Sequence, residues 1–225
     1  CAKSPWGPDD QKGRLNWMTA ESRTRIMEAI DPSKCYDLSV DYFVGMPSWK
    51  GAGDPPYQIW MTHTPQGNCN DHLMKGVTAE SKQLCSYSGD AFSMYTHTGT
   101  HLDALNHFGY RGEIWNGFNE KENLGSRVWE KCGIEQFPKL IVARAVMLDI
   151  AALKGVDCLP DSYIISVDEL KEAMEKQNVE IRKGDIIMIR TGRMAVWPDC
   201  DKYEWNTPGI EIKGAEFLAG LGGMI

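Results

Sequence analysis

The sequence predicts a mixed α/β domain rather than a regular doubly wound one. Three observations carry this. Strand-like runs crowd the first half, and strands alternate with helices in the second. The chain has 225 residues, 42% hydrophobic and 24% charged, which is enough apolar material for the core of one domain spanning 1–225.

Taken in order, residues 6–17 (WGPDDQKGRLNW) form a turn-rich lead-in. Residues 19–30 read as a helix with Thr19 as N-cap. KCYDLSV (34–40) reads as a strand, 45–57 as a Gly/Pro loop, and YQIWMTHT (57–64) as a second strand. The stretch 65–89 is polar and irregular, in the manner of a flap. DAFSMYTH (90–97) alternates, with Phe92, Met94 and Thr96 on one face and Ser93, Tyr95 and His97 on the other. KLIVARAVMLDI (139–150) and GDIIMIRTG (184–192) read as buried strands. Between them, 166–178 reads as a helix. Ser166 and Glu169 make its capping box, and Val167, Leu170, Ala173 and Met174 make its apolar stripe. Residues 213–221 read as a short helix, followed by a Gly-Gly stop and the start of an apolar strand.

Lys plus Arg number 24 and Asp plus Glu 31, a net charge of −7. That balance argues against a nucleic-acid partner, and no basic run suits an anionic membrane. No transmembrane span is read, because Arg144 and Asp149 interrupt the best apolar run, 140–156. Seven widely spaced cysteines (Cys1, Cys35, Cys69, Cys85, Cys132, Cys158, Cys200) without a CxxC pair read as free thiols in a reducing, cytoplasmic compartment. The chain opens on Cys1 without a visible signal peptide and stops at Ile225 on entry to an apparent strand, so further sequence is expected at both ends.

Three of the five histidines fall in MYTHTGTHLDALNHFG (94–109): His97, His101 and His107, with Asp103 between the last two. On a straight strand His97 and Asp103 would stand about 20 Å apart, too far for one ion. A helix would group His97 with His101 and throw Asp103 to another face. A bend at Gly99 resolves this, with His101 and Asp103 on a return segment pointing back at His97. From Asp103 onward, DALNH is helix-compatible and sets His107 one turn further on.

Two imidazoles and a carboxylate suit Zn²⁺, Mn²⁺ or Fe²⁺ and leave coordination positions open for water and substrate. A neutral histidine alongside can take a proton from water and return it to a leaving nitrogen. These parts suit hydrolysis of a small formamide, amide, lactam or lactone. A structural polar cluster is the plainer alternative, and a non-haem Fe(II) oxygenase the rival chemistry, since it uses two histidines and one carboxylate. A non-catalytic ligand-binding protein is the third reading. Trp49 stacks on substrate or merely packs. Arg190 holds a product carboxylate or makes a structural ion pair. Asp149 reads as a strand-end cap, and His63 and His72 as ordinary strand or loop residues. Tyr95 faces the metal or only packs.

HTGTHLDALNH resembles the signature of the cyclase-like metal-dependent hydrolases, H-x-G-T-H-x-D-x-P-x-H, a family that includes kynurenine formamidase and isatin hydrolase. Leu105 stands where that pattern has proline, which costs rigidity but no ligand. The lead-in at 6–21, the loop at 45–57 with Trp49, and KGDIIMIRTGR (183–193) resemble further stretches of it. The resemblance implies that His97, His101 and Asp103 hold one divalent metal ion and that His107 is the general acid/base. It implies that Trp49 lies against substrate and that helices flank a barrel-like mixed sheet. It also implies a homo-oligomer, dimer or tetramer, whose pockets a neighbouring subunit can complete. Two-metal members bridge a second ion through Asp103, using a histidine and a glutamate from a C-terminal region. No histidine follows His107 here.

Overall fold

Local signals at helix ends and the pairing of two apolar runs organise the computed structural model, which describes residues 3–67, 87–125 and 127–224. Its named elements are α1 (Ala20–Ala29), β1 (Gln58–His63), β2 (Gly89–Ser93), α2 (Glu120–Asn123), β3 (Ala145–Asp149), α3 (Ile150–Leu153), β4 (Ile164–Ile165), α4 (Val167–Lys176), β5 (Ile186–Arg190), α5 (Cys200–Tyr203), β6 (Gly209–Ile210) and α6 (Ile212–Gly220). The architecture is mixed α/β. Two compact units divide it: Cys1–Asp37, Leu102–Trp197 and Trp205–Ile225 form the first, and Leu38–His101 with Pro198–Glu204 the second. No helix among the described residues is long and apolar enough to cross a membrane.

In the first unit β3 pairs in parallel with β5, from Ala145↔Ile186 to Asp149↔Arg190, and β4 pairs in parallel with β6. Along β3, Val146 and Leu148 are buried while Met147 is 40% exposed. The 139–150 run is therefore a half-buried strand confined to its second half, with Leu140 and Ile141 exposed before it. Leu148, Ile150, Leu159, Ile165, Leu170, Ala173, Ile187 and Leu218 gather into one core. Each Leu or Ile sealed there contributes roughly 1.5–3 kcal/mol. Arg144, which interrupts the apolar run, donates from Nε and Nη2 to both oxygens of the buried Asp185, at 3.0 and 2.6 Å. The lead-in is tied down by Asp10, whose carboxylate accepts from Ser4 Oγ, Asn16 Nδ2 and Trp115 Nε1.

The helix ends follow the sequence. Thr19 caps α1 by accepting from Ser22 N–H, and Asp149 caps α3 by accepting from Ala152 N–H. The capping box at Ser166 and Glu169 starts α4. Glu169 also accepts from the Tyr163 hydroxyl and pairs with Lys154 Nζ at 2.9 Å. Burial pushes the Glu169 carboxyl up, but the bonds from Tyr163, the Ser166 N–H and Lys154 outweigh it and hold the pKa at about 2. The stability this contributes is present above the unfolded glutamate pKa and is lost as pH falls towards about 2. Glu169→Gln is therefore expected to cost about 2 kcal/mol at neutral pH and to converge on the unsubstituted protein in acid. Thermal melts of both proteins across pH 2–7 check this.

In the second unit β1 pairs antiparallel with β2, with an irregularity between Met61 and His63. Ile59, Trp60, Met61 and Phe92 are all exposed on this ribbon. A lone bridge joins Ser48 to Thr98. The KCYDLSV run forms no strand. No ladder among the described residues includes it, and Tyr36 and Leu38 are 79% and 61% exposed. After the C-terminal Gly-Gly the one described residue, the buried Met224, is in no strand and donates its N–H to Asp185 O, and Ile225 lies outside the described residues. Most of the 65–89 stretch, with Cys69, His72 and Cys85, lies outside the described residues, as does Cys1. Cys35, Cys132, Cys158 and Cys200 are free thiols. Burial first, then the nearby Asp10 carboxylate, push the Cys132 thiol up to about 11.

Candidate metal centre

The bend expected at Gly99 is present, with φ +64°, a backbone conformation that glycine adopts without steric cost. A Cβ there would approach Met46 Cε and the Tyr42 hydroxyl to 3.2 Å. Tyr42 fixes the entry to the bend by donating its hydroxyl to Thr98 O at 3.1 Å. The bend turns the chain so that His101 comes back over His97, with ring centroids 4.2 Å apart.

His101 is oriented at both ring nitrogens. Nδ1 lies 2.8 Å from Gly99 O, and Nε2 lies 2.7 Å from His97 Nδ1. A carbonyl can only accept, so Nδ1 carries a proton. A backbone carbonyl bound to the far nitrogen is the usual support of a metal-ligating histidine.

Beyond the bend the expected helical turn is absent. Residues 105–107 form a turn instead, closed by the His107 N–H donating to Ala104 O at 3.0 Å. Asn106 Nδ2 anchors it on Lys131 O. Leu105, in the proline position of the motif, packs where a Cβ on Gly13 would meet its Cδ1 at 3.3 Å. An apolar contact thus takes over part of the ring's stiffening role.

Within this run one ligand atom each from His97, Asp103 and His107 lie within 4.8 Å of one another. Two ligands on one ion stand at most about 4.2 Å apart, twice a bond of roughly 2.1 Å. Small side-chain rotations would close the difference, so the donor set fits a divalent cation. The grouping that meets this distance contains His107, where the sequence expectation had His101. His101 joins through its contact with His97. His97 is half-buried, while His101, Asp103 and His107 are exposed.

The other candidates are placed as follows. Trp49 is 40% exposed, its ring 6.4 Å from that of Tyr95, which lies 6.0 Å from His97. Arg190, at the end of β5, donates to Asp149 Oδ1 at 2.8 Å. His63 sits in β1, its ring 5.8 Å from Tyr87. Sequence reasoning passed over Glu204, which lies 155 residues from Trp49 and carries no local motif. Its side chain is 7% exposed and binds both neighbours of Trp49.

A bend-mounted His/Asp cluster on a mixed α/β scaffold defines the class, and the Cyclase family model matches residues 36–224, so the chain belongs to the cyclase family. Among solved structures, a crystal structure described as a novel cyclase is 27% identical with a TM-score of 0.81, covering 96% of this chain and 71% of that one. A crystal structure of an isatin hydrolase bound to the product analogue thioisatinate is 15% identical with a TM-score of 0.53. It covers 91% of this chain and 71% of that one, and this likeness shows the fold alone. No curated protein matches the sequence.

Proposed function

We propose that the chain is a metal-dependent hydrolase that opens a non-peptide C–N bond in a small formamide, amide or lactam, or the ester of a lactone. The observation that carries this reading is the gathering of His97, Asp103 and His107, with His101 on His97, inside the cyclase motif. His97, His101 and Asp103 would hold one divalent ion, Zn²⁺ or Mn²⁺ by preference and Fe²⁺ by the same donor chemistry. Such an ion acidifies water and polarises a carbonyl oxygen. His107 takes a proton from the attacking water as the new C–O bond forms. It returns that proton to the nitrogen as the C–N bond breaks, so the products are a carboxylic acid and an amine. Trp49 offers an aromatic face to the substrate. Arg190, beyond its bond to Asp149, keeps further guanidinium donors for a product carboxylate.

The same reading includes the barrel-like sheet of the family, a homodimer or tetramer, a single domain, and a cytoplasmic setting in which the free thiols persist. Any second ion would need ligands beyond the four named here.

Full removal of metal by chelation is expected to abolish hydrolysis of isatin and of N-formyl anilides, and one equivalent of Zn²⁺ or Mn²⁺ to restore it. Elemental analysis alongside turnover assays checks this, and undiminished turnover in metal-free protein would refute the reading. Because His97, Asp103 and His107 are themselves two histidines and one carboxylate, an Fe(II) oxygenase is the second reading. Turnover that stops under nitrogen would identify it.

A further inference from the structure

Trp49 lies in a loop, between the bridged Ser48 and the turn at 51–52, and a loop side chain is held still when the residues beside it are fixed. In the second unit one carboxylate does so on both sides. Glu204 Oε1 accepts from the Ser48 backbone N–H at 3.1 Å and pairs with Lys50 Nζ at 3.4 Å. The Glu204 side chain is 7% exposed and the Lys50 side chain 49% exposed, so the anion is the enclosed partner. Ser48 is itself 4% exposed and bridges to Thr98, the residue after His97.

A third contact sets the ring. A Cβ on Gly51 would fall 2.5 Å from Trp49 Cζ2, so the indole lies across the backbone of Gly51 in space that only glycine leaves open. From there the rings run Trp49, Tyr95, His97, His101, at centroid separations of 6.4, 6.0 and 4.2 Å. The indole is thus one end of an aromatic row whose other end carries metal-type ligands.

We infer that Glu204 is a positioning residue that holds Trp49 at the end of this row opposite the histidines. This rests on the hydrolase reading for its kinetic consequence, but the fixing of Trp49 stands apart from it. Glu204 touches neither metal ligand nor substrate. It acts through Ser48 and Lys50.

The variants Glu204→Ala and Glu204→Gln separate the role from general stability. Gln keeps an oxygen that can accept from the Ser48 N–H, whereas Ala leaves that buried donor without a partner. With isatin as probe, Glu204→Ala is expected to raise KM about tenfold with kcat within about twofold and metal content unchanged, the pattern of lost ground-state binding. Glu204→Gln should recover most of that KM. A fall in kcat at unchanged KM, or equal KM in the wild type and Glu204→Ala, would overturn the inference.

A second readout needs no turnover. The emission of Trp49 is isolated by subtracting spectra of Trp49→Phe proteins, once in the wild-type background and once in Glu204→Ala. Its acrylamide quenching should rise and its emission move to the red in Glu204→Ala, and both should return in Glu204→Gln. An unchanged Trp49 signal would refute the positioning role. A changed signal in a protein that hydrolyses neither isatin nor N-formyl anilides nor lactones would keep the role and remove the hydrolase reading.

Discussion

His107→Ala is expected to bind its divalent metal as the wild type does and to lose about 10²–10⁴-fold in kcat, the usual contribution of a positioned acid/base. His101→Ala is the contrasting variant and should lose the metal itself. The argument rests on how the two side chains are held. His101 has its Nδ1 held by Gly99 O, the support expected of a ligand, and its Nε2 turned toward His97 at 2.7 Å. His107 is exposed and closes a four-residue turn with its own backbone N–H. A residue mounted there can move a proton without carrying the ion. Parallel metal analysis and steady-state kinetics on the two variants decide between the assignments. If His107→Ala emptied the site while His101→Ala kept it, the two roles would be exchanged, as the 4.8 Å grouping would then demand.

What the sequence discloses is what short-range physics encodes. Ser166 and Glu169 stand three residues apart, and a capping box needs nothing further, so α4 begins where the pattern places it. Thr19 and α1 follow the same logic. The Gly99 bend is equally legible, because straight elements cannot bring His97 and Asp103 together and glycine alone among its neighbours tolerates the turn.

Strands are less legible, since a strand exists only where another lies beside it. KCYDLSV has the composition of a strand, yet no strand is assigned to it among the described residues, and Tyr36 and Leu38 stay exposed. In the 139–150 run, pairing with β5 reaches only from Ala145 onward, and the apolar residues before it stay outside the sheet. DALNH fails as a helix for a related reason. Asn106 bonds to Lys131 O and Leu105 packs near Gly13, and these distant contacts favour a turn over one isolated helical turn, whose nucleation is costly. Glu204 was beyond reach altogether, because nothing near it in sequence announces that it will meet Ser48 and Lys50.

The largest expected loss of stability comes from Gly192→Ala, about 3–4 kcal/mol, read as a fall in melting temperature of about 10 °C. Gly192 lies in KGDIIMIRTGR just past the end of β5, at φ +77°. An L-residue there carries about 1–2 kcal/mol of backbone strain. The remainder is steric. A Cβ would fall 1.9 Å from Asp157 O and 2.8 Å from Cys158 Cα, so main chain would have to move. It cannot move without loss, because Leu159 N–H donates to Thr191 O at 2.9 Å and Leu159 is sealed in the core. On the other side the nearly buried Arg193 is held by Asp161 Oδ1 and Trp205 O, which resists displacement of the turn. Gly99 differs in kind, since there the approaching atoms are side-chain ends, Met46 Cε and the Tyr42 hydroxyl, at 3.2 Å rather than main chain at 1.9 Å. A glycine in a motif is thus read correctly only with its neighbours. At Gly99 it shapes the candidate site, whereas at Gly192 it lets two segments of main chain touch. A melting temperature for Gly192→Ala within about 2 °C of the wild type would show that the 157–158 segment yields, and that the close approach is not needed.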